Sequence, residues 1–133
     1  MKIEFLNVDL EIESAGDLRL LVDELKRECR VMVHDKKPDG NNFAVFGHHS
    51  SFPDGKINDI LNAFCDALEN LSPESSAIWR GCRTRKFDAG FESGNFPNDF
   101  QVEIDPAALR RIAALRASVA VTIYPINDKS HSS

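Results

Sequence analysis

No apolar stretch in this chain reaches the length of a membrane span, so no transmembrane helix is expected. The sequence also has no glycine-rich phosphate loop, no dinucleotide fingerprint, no HExxH, no GxSxG and no paired CxxC. No metal and no cofactor is expected. Cysteine is scarce, and Cys29, Cys65 and Cys82 are an odd number without metal-ligand spacing. They read as reduced thiols of a cytoplasmic protein, two of them buried. The chain begins Met1, Lys2, Ile3, Glu4, with no positive segment followed by an apolar run, so no signal peptide is expected. Basic residues are the other shortage. Lys and Arg number 16 against 21 Asp and Glu, a net charge of −5. The imbalance lies in residues 1–75, with 15 acids and 8 bases, whereas residues 76–133 hold 6 acids and 8 bases. Such a chain binds phosphate backbones poorly, which argues against nucleic acid. It suits a basic protein, which it can attract from a distance.

The 133 residues, 42% hydrophobic and 28% charged, fit one ordinary domain. That domain is expected over residues 1–126, with a polar, disordered tail at 127–133. Three stretches alternate with period two. Val8, Leu10 and Ile12 alternate with Asp9, Glu11 and Glu13; Phe87, Ala89 and Phe91 with Asp88, Gly90 and Glu92; Phe100, Val102 and Ile104 with Gln101, Glu103 and Asp105. Successive strand side chains point to opposite faces, so each stretch reads as a strand with an apolar inner face and an acidic outer one. None of these outward positions is Lys or Arg.

Between them the pattern is mixed. A first strand spans residues 2–13, with a bulge or a change of neighbour where Phe5 and Leu6 break the period. Leu18, Leu21, Val22, Leu25 and Cys29 recur at helical spacing behind a capping-box-like Ser14 and Asp17. Short strands at 31–34 and 42–46 flank a turn built on Pro38, Asp39 and Gly40. The strongest helix carries Ile57, Ile60, Leu61, Phe64, Leu68 and Leu71 on one stripe, with Asp54 as N-cap and Pro73 past its end. Residues 72–76 read as a loop and 77–82 as an irregular strand. A second hairpin pairs 85–92 with 100–104. Asp105 then caps a third helix with Pro106 at its first position, and a strand at 118–126 closes the chain. Hairpins with helices on one side make an α+β two-layer sandwich: a mainly antiparallel sheet with about three helices packed on one face.

Few residues suggest chemistry. His48 and His49 diverge if they lie on a strand, and no ligand cluster surrounds them. Residues 80–86 gather Arg80, Arg83, Arg85 and Lys86 beside Trp79, the only tryptophan. Four cations in an acidic domain are a small footprint for nucleic acid; a charged strand edge or part of a protein interface fits better. Cations beside Cys82 would favour its thiolate. These groups define the alternative, an orphan enzyme or small-ligand domain using His48, His49 and residues 80–86. A self-associating structural domain is a third reading.

The segment Phe87, Asp88, Ala89, Gly90, Phe91, Glu92, Ser93, Gly94, followed by residues 100–105, the capped helix and residues 119–125, resembles small bacterial immunity proteins of contact-dependent growth inhibition and polymorphic-toxin systems. The likeness covers about the last third of the chain and is one of size, acidity and element order. It implies a small cytoplasmic protein that neutralises one cognate toxin, often a nuclease, by protein–protein binding. The expected protein is therefore not an enzyme, contacts neither membrane nor nucleic acid, and is a monomer or weak dimer. Asp9, Glu11, Glu13, Asp88, Glu92 and Glu103 would meet the toxin's cations, and Trp79 or Tyr124 would anchor it.

Overall fold

The computed structural model describes residues 4–48, 57–92 and 101–125. The chain runs β1 (Glu4–Ser14), α1 (Arg19–Leu25), β2 (Cys29–Lys36), β3 (Asn42–His48), α2 (Ile57–Glu69), α3 (Pro73–Arg80), β4 (Thr84–Glu92), α4 (Pro106–Ala114) and β5 (Ser118–Tyr124). The five strands form one sheet in the order β2-β3-β1-β4-β5. Every neighbouring pair is antiparallel except β4 and β5, which run parallel with α4 as their crossover. An α+β sandwich is thus borne out, with four helices among the described residues instead of about three.

β1 sits at the centre because it is apolar on alternate residues and is hydrogen-bonded on both sides. Leu10 lies opposite Phe46 of β3 and Phe87 of β4. Val8, Leu10, Ile12, Ala44, Phe46, Phe87 and Ala89 are buried on this side of the sheet, under Leu21, Leu25, Ile60, Leu61, Phe64, Leu68, Ala108 and Ile112 of the helices. Burying one such large side chain contributes about 1.5–3 kcal/mol. Phe64 and Phe87 meet with ring centroids 5.7 Å apart, which joins α2 to β4. The bulge read from Phe5 and Leu6 is present: the β1–β4 register shifts between Phe5 and Asn7. The β2–β3 turn is also as expected, with Gly40 at φ +91°, a conformation glycine adopts without strain.

Two elements differ from the sequence reading. Residues 73–82 hold a helix, not a loop and an irregular strand. Ser72 caps it by accepting the Ser75 N–H at 3.2 Å, and Pro73 occupies the first turn. The proline that stops α2 therefore also starts α3, a double use that reading for helix ends alone does not separate. The second departure is at 101–105, which is irregular and not a strand, so the proposed second hairpin does not form there. Its strand position is taken by β5, which adds to β4 in parallel. Phe100, Asp54, His49 and the tail at 127–133 lie outside the described residues. α1 is also shorter than its stripe: Cys29 begins β2, and Leu18 is the N-cap without a side-chain bond. Ser14 ends β1 and accepts from the Gly16 N–H at 3.1 Å, so the capping box is not made. Asp105 stands at the N-cap of α4 but makes no side-chain cap bond; its own N–H donates to Asn58 Oδ1 at 2.8 Å.

Polar clasps fix the helical layer. Arg111 of α4 donates from Nε and Nη2 to Glu69 at 2.9 and 2.8 Å, from Nη2 to Asp66 at 2.6 Å and from Nη1 to Asn62 at 3.0 Å. This two-pronged grip locks α4 to α2. Glu24 of α1 accepts the Ser72 N–H at 3.0 Å and both the Ser72 and Ser75 hydroxyls. A carboxylate that collects three donors at a helix start is held strongly ionised, and its pKa falls to about 2 from an ordinary 4.5. Because the folded value is depressed, its stabilisation is complete above pH about 4.5 and is lost as pH falls towards 2. Glu24→Ala should lower Tm by a few degrees at neutral pH. Its deficit against the wild type should shrink steadily between pH 4.5 and 2, as read by thermal denaturation across that range.

Candidate functional site

The sheet face opposite the helices is the candidate site, and alternation decides its members. β1 presents Asn7, Asp9, Glu11 and Glu13; β4 presents Thr84, Lys86, Asp88 and Glu92; β5 presents Ala120, Thr122 and Tyr124. β2 and β3 add an apolar flank of Met32, Val33, Phe43 and Val45 beside Arg30. Met32 is 46% exposed and Val33 38%, unusual for large apolar side chains. Two glycines let side chains lie flat across this face. A Cβ at Gly47 would come within 3.2 Å of Met32 Sδ, and one at Gly90 within 3.2 Å of Tyr124 Cε2. At one end a recess of about 170 Å³ is lined by Glu11, Glu13, Lys37, Phe43, Val45, Thr84 and Lys86, among others.

The acids are not equivalent. Glu11 pairs with Lys86 at 3.4 Å, and Lys86 precedes the alternating stretch by one residue, so the face carries a cation where none was expected. Glu13 pairs with Lys37 at 2.8 Å and accepts from Asn41 Nδ2 at 2.9 Å. Those bonds lower its pKa and tie β1 to the β2–β3 turn, which makes Glu13 a structural residue. Asp9 and Asp88 are different. They stand directly opposite each other across β1 and β4, about 5 Å apart at Cβ for such a pair. Asp9 receives Asn7 Nδ2 at 3.3 Å, and Asp88 receives the Thr122 hydroxyl at 2.7 Å. Partial burial pushes the Asp9 pKa up, the charges of Glu11 and Asp88 push it further, and Arg30 pulls it back. The centre of the face therefore holds negative charge in excess of its local cations.

Other expected site residues are elsewhere. Glu103 lies in the irregular segment 101–105, where its carbonyl accepts from Asn58 Nδ2 at 2.9 Å; it does not extend the acidic face. Glu92 and Tyr124 are register partners at the far end of β4 and β5, on the same face as Asp88. Trp79 is in the core, 4% exposed, with Nε1 donating to the Leu115 carbonyl at 3.0 Å, so it is not available as a surface anchor.

Two of the four cations in the basic cluster, Arg85 and Lys86, are taken up by the fold, while Arg80 and Arg83 stay exposed. Arg85 Nη1 donates to the carbonyls of Trp79, Arg80 and Cys82, closing the end of α3, and Nε donates to the Arg116 carbonyl at 2.9 Å. All three cysteines are free and buried. Burial raises Cys29 to about 12 and Cys65 and Cys82 to about 11, so the expected activation of Cys82 by its neighbours is overturned. His48 turns to the core side and meets Phe64 edge-on, centroids 5.8 Å apart. It lies two strands and four residue pairs from Arg85, so the two do not share a site. Among the described residues no group of three His, Cys, Asp or Glu could hold a metal ion, and no helix is long and apolar enough to cross a membrane. An open groove of about 450 Å³ is lined by Asp17, Arg19, His34, Asp35, Lys36 and Asn42; Asp17 is already engaged by Arg19 at 2.8 Å.

The outward apolar residues of β3 were the missed part of the site. Their signal was present in Phe43 and Val45, which make β3 apolar at both parities, but a short strand with two apolar faces reads simply as buried.

Substitutions at two positions separate the roles. Asp88→Asn keeps an acceptor for Thr122 and removes one of the facing charges. It should lower the Asp9 pKa towards the ordinary value, seen by NMR titration, and stabilise the fold at neutral pH by about 0.2–1 kcal/mol. Trp79→Phe should cost about 1–2 kcal/mol and Trp79→Ala about 3–5 kcal/mol in urea denaturation, from lost packing and an orphaned carbonyl.

Comparison of the chain with protein-family models, with curated proteins and with solved structures finds no match in any of the three.

Proposed function

We propose that this is a non-catalytic binding protein whose open sheet face docks a basic protein, and that the partner is a toxin domain, of nuclease type, which the protein neutralises as an immunity protein. The observation that carries the reading is the Asp9–Asp88 pair at the centre of that face. Like charges set opposite each other across strands work against folding. A cation from a partner would relieve that repulsion, so the cost to the free protein becomes affinity for a basic surface. The flanks supply what charge alone does not. Met32 and Val33 on one side and Tyr124 on the other are exposed apolar or aromatic side chains around a polar centre. Aromatic and methionine side chains of this kind are favoured at protein interfaces, and charge at such surfaces mainly speeds encounter.

Chemistry of the enzyme type has less support. The thiols are buried with raised pKa values, His48 packs on Phe64, and Arg85 closes a helix.

The test begins with the adjoining upstream gene, which should encode a large secreted protein with a variable C-terminal domain. That domain, coexpressed with this protein, should co-purify with it and lose its toxicity. Association should slow several-fold as salt rises from low to physiological, and an Asp9→Lys, Asp88→Lys double variant should slow it further at low salt. A neighbour of another kind, or a toxin left fully active by the bound protein, sinks the immunity reading. A complex whose formation ignores both salt and the double variant sinks the assignment of this face.

A further inference from the structure

The two edges of the sheet are built differently. β2 carries Arg30, His34, Asp35 and Lys36, and its pairing slips between Val31 and Val33. Charge and a bulge both discourage a further strand from adding there. β5 reads Ser, Val, Ala, Val, Thr, Ile, Tyr, with no charge, no proline and an unbroken register from Ser118 to Tyr124. Among the described residues no strand lies beyond it. Two of its three core-side residues are also uncovered. Register sets Val121 beside Ala89 and Ile123 beside Phe91, which are buried, yet Val121 is 59% exposed and Ile123 66%.

The crossover helix α4 also exposes an apolar residue. Arg111 marks the flank of α4 that faces α2. Leu109 and Ala113, each two residues away, are turned about 160° from it and lie on the flank away from α2. Leu109 is itself an exposed large apolar residue. The β5 edge thus presents an uncharged strand with exposed apolar side chains.

We propose that this surface pairs with a second copy of the chain, β5 against β5 in antiparallel fashion, to make a continuous ten-stranded sheet. Centred on Val121, the pairing is self-complementary. Val121 meets its own counterpart, and Ile123 of each copy meets Val119 of the other, all on the helix side. Charge sets the direction. The Ser118 end of β5 is flanked by Arg85, Lys86 and Arg116 and the Tyr124 end by Glu92, whereas Asp88 lies beside Ala120 near the middle. An antiparallel pair brings the basic end of one copy to the acidic end of the other, whereas a parallel pair would set like against like. A chain of net charge −5 repels its copy over its acidic surfaces, and the neutral strand lets two copies approach. The pairing leaves the outer sheet face open, so it stands apart from the toxin-binding reading and is tested without a partner.

Sedimentation equilibrium of the full chain over a wide concentration range should give masses that rise towards twice 14.9 kDa. Val121→Lys and Ile123→Lys, both at exposed positions, should each weaken self-association roughly tenfold or more, because a charge on an edge blocks strand addition. Leu20→Lys, on the exposed side of α1, should leave it unchanged. Backbone amides along β5 should gain hydrogen-exchange protection as concentration rises. A wild-type chain that stays monomeric throughout overturns the proposal, including the case where the edge takes an extended segment of another protein. So does a dimer indifferent to both β5 variants, or one that gives β5 no added protection.

Discussion

Register at β1 is the constraint on which the rest depends. Val8, Leu10 and Ile12 are wholly or almost wholly buried, while Asp9, Glu11 and Glu13 stand on the other face. Because the side-chain period of a strand is two, a slip of one residue would expose all three apolar residues and drive three carboxylates into the core. Each carboxylate buried without a partner would cost several kcal/mol. β1 is paired on both sides, so its register is transmitted to β3 and β4 at once. Through β4 it reaches β5. The acidic face and the apolar core are therefore two consequences of the same alternation.

The helical layer is held by a different kind of interaction. Apolar contacts bring α2 and α4 onto the sheet, but their relative placement is set by directional polar clasps. Arg111 grips two acids and an asparagine of α2, and Glu24 reaches from α1 to start α3. Arg85 does the same from the sheet, closing the far end of α3. Several charges that look like surface decoration in the sequence therefore act as tertiary caps. Arg85 is drawn from the basic cluster in this way, while Arg80 and Arg83 stay exposed.

The outer face is consequently less uniform than three acidic strands would make it. Its acidic centre is small. One end is neutralised by Lys86 and Lys37, and one flank is apolar. A surface with a few unrelieved charges among exposed apolar side chains is suited to a specific protein partner more than to diffuse attraction. The β5 edge lies at the margin of the same sheet, and Tyr124 belongs both to that edge and to the outer face.

Much of this architecture is legible in the residues alone. Alternation in 8–13 and 87–92 determines β1 and β4 and which of their residues are core. The Ile57, Ile60, Leu61, Phe64, Leu68 stripe determines α2, and Gly40 determines the turn between β2 and β3. These features are local, and a period of 2 or 3.6 is enough to reveal them. What the tertiary structure alone decided involves partners far apart in the chain. Residues 101–105 alternate as cleanly as β1, yet they stay irregular while β5 takes the place beside β4. Trp79, read as a surface anchor, is drawn into the core by a carbonyl 36 residues away. Glu11, Glu13 and Asp9 look alike in sequence, and only strand order brings a lysine to the first two and an aspartate to the third. Pattern fixes which face a side chain takes; pairing between strands decides what stands opposite it, and for charged groups that neighbour determines their role.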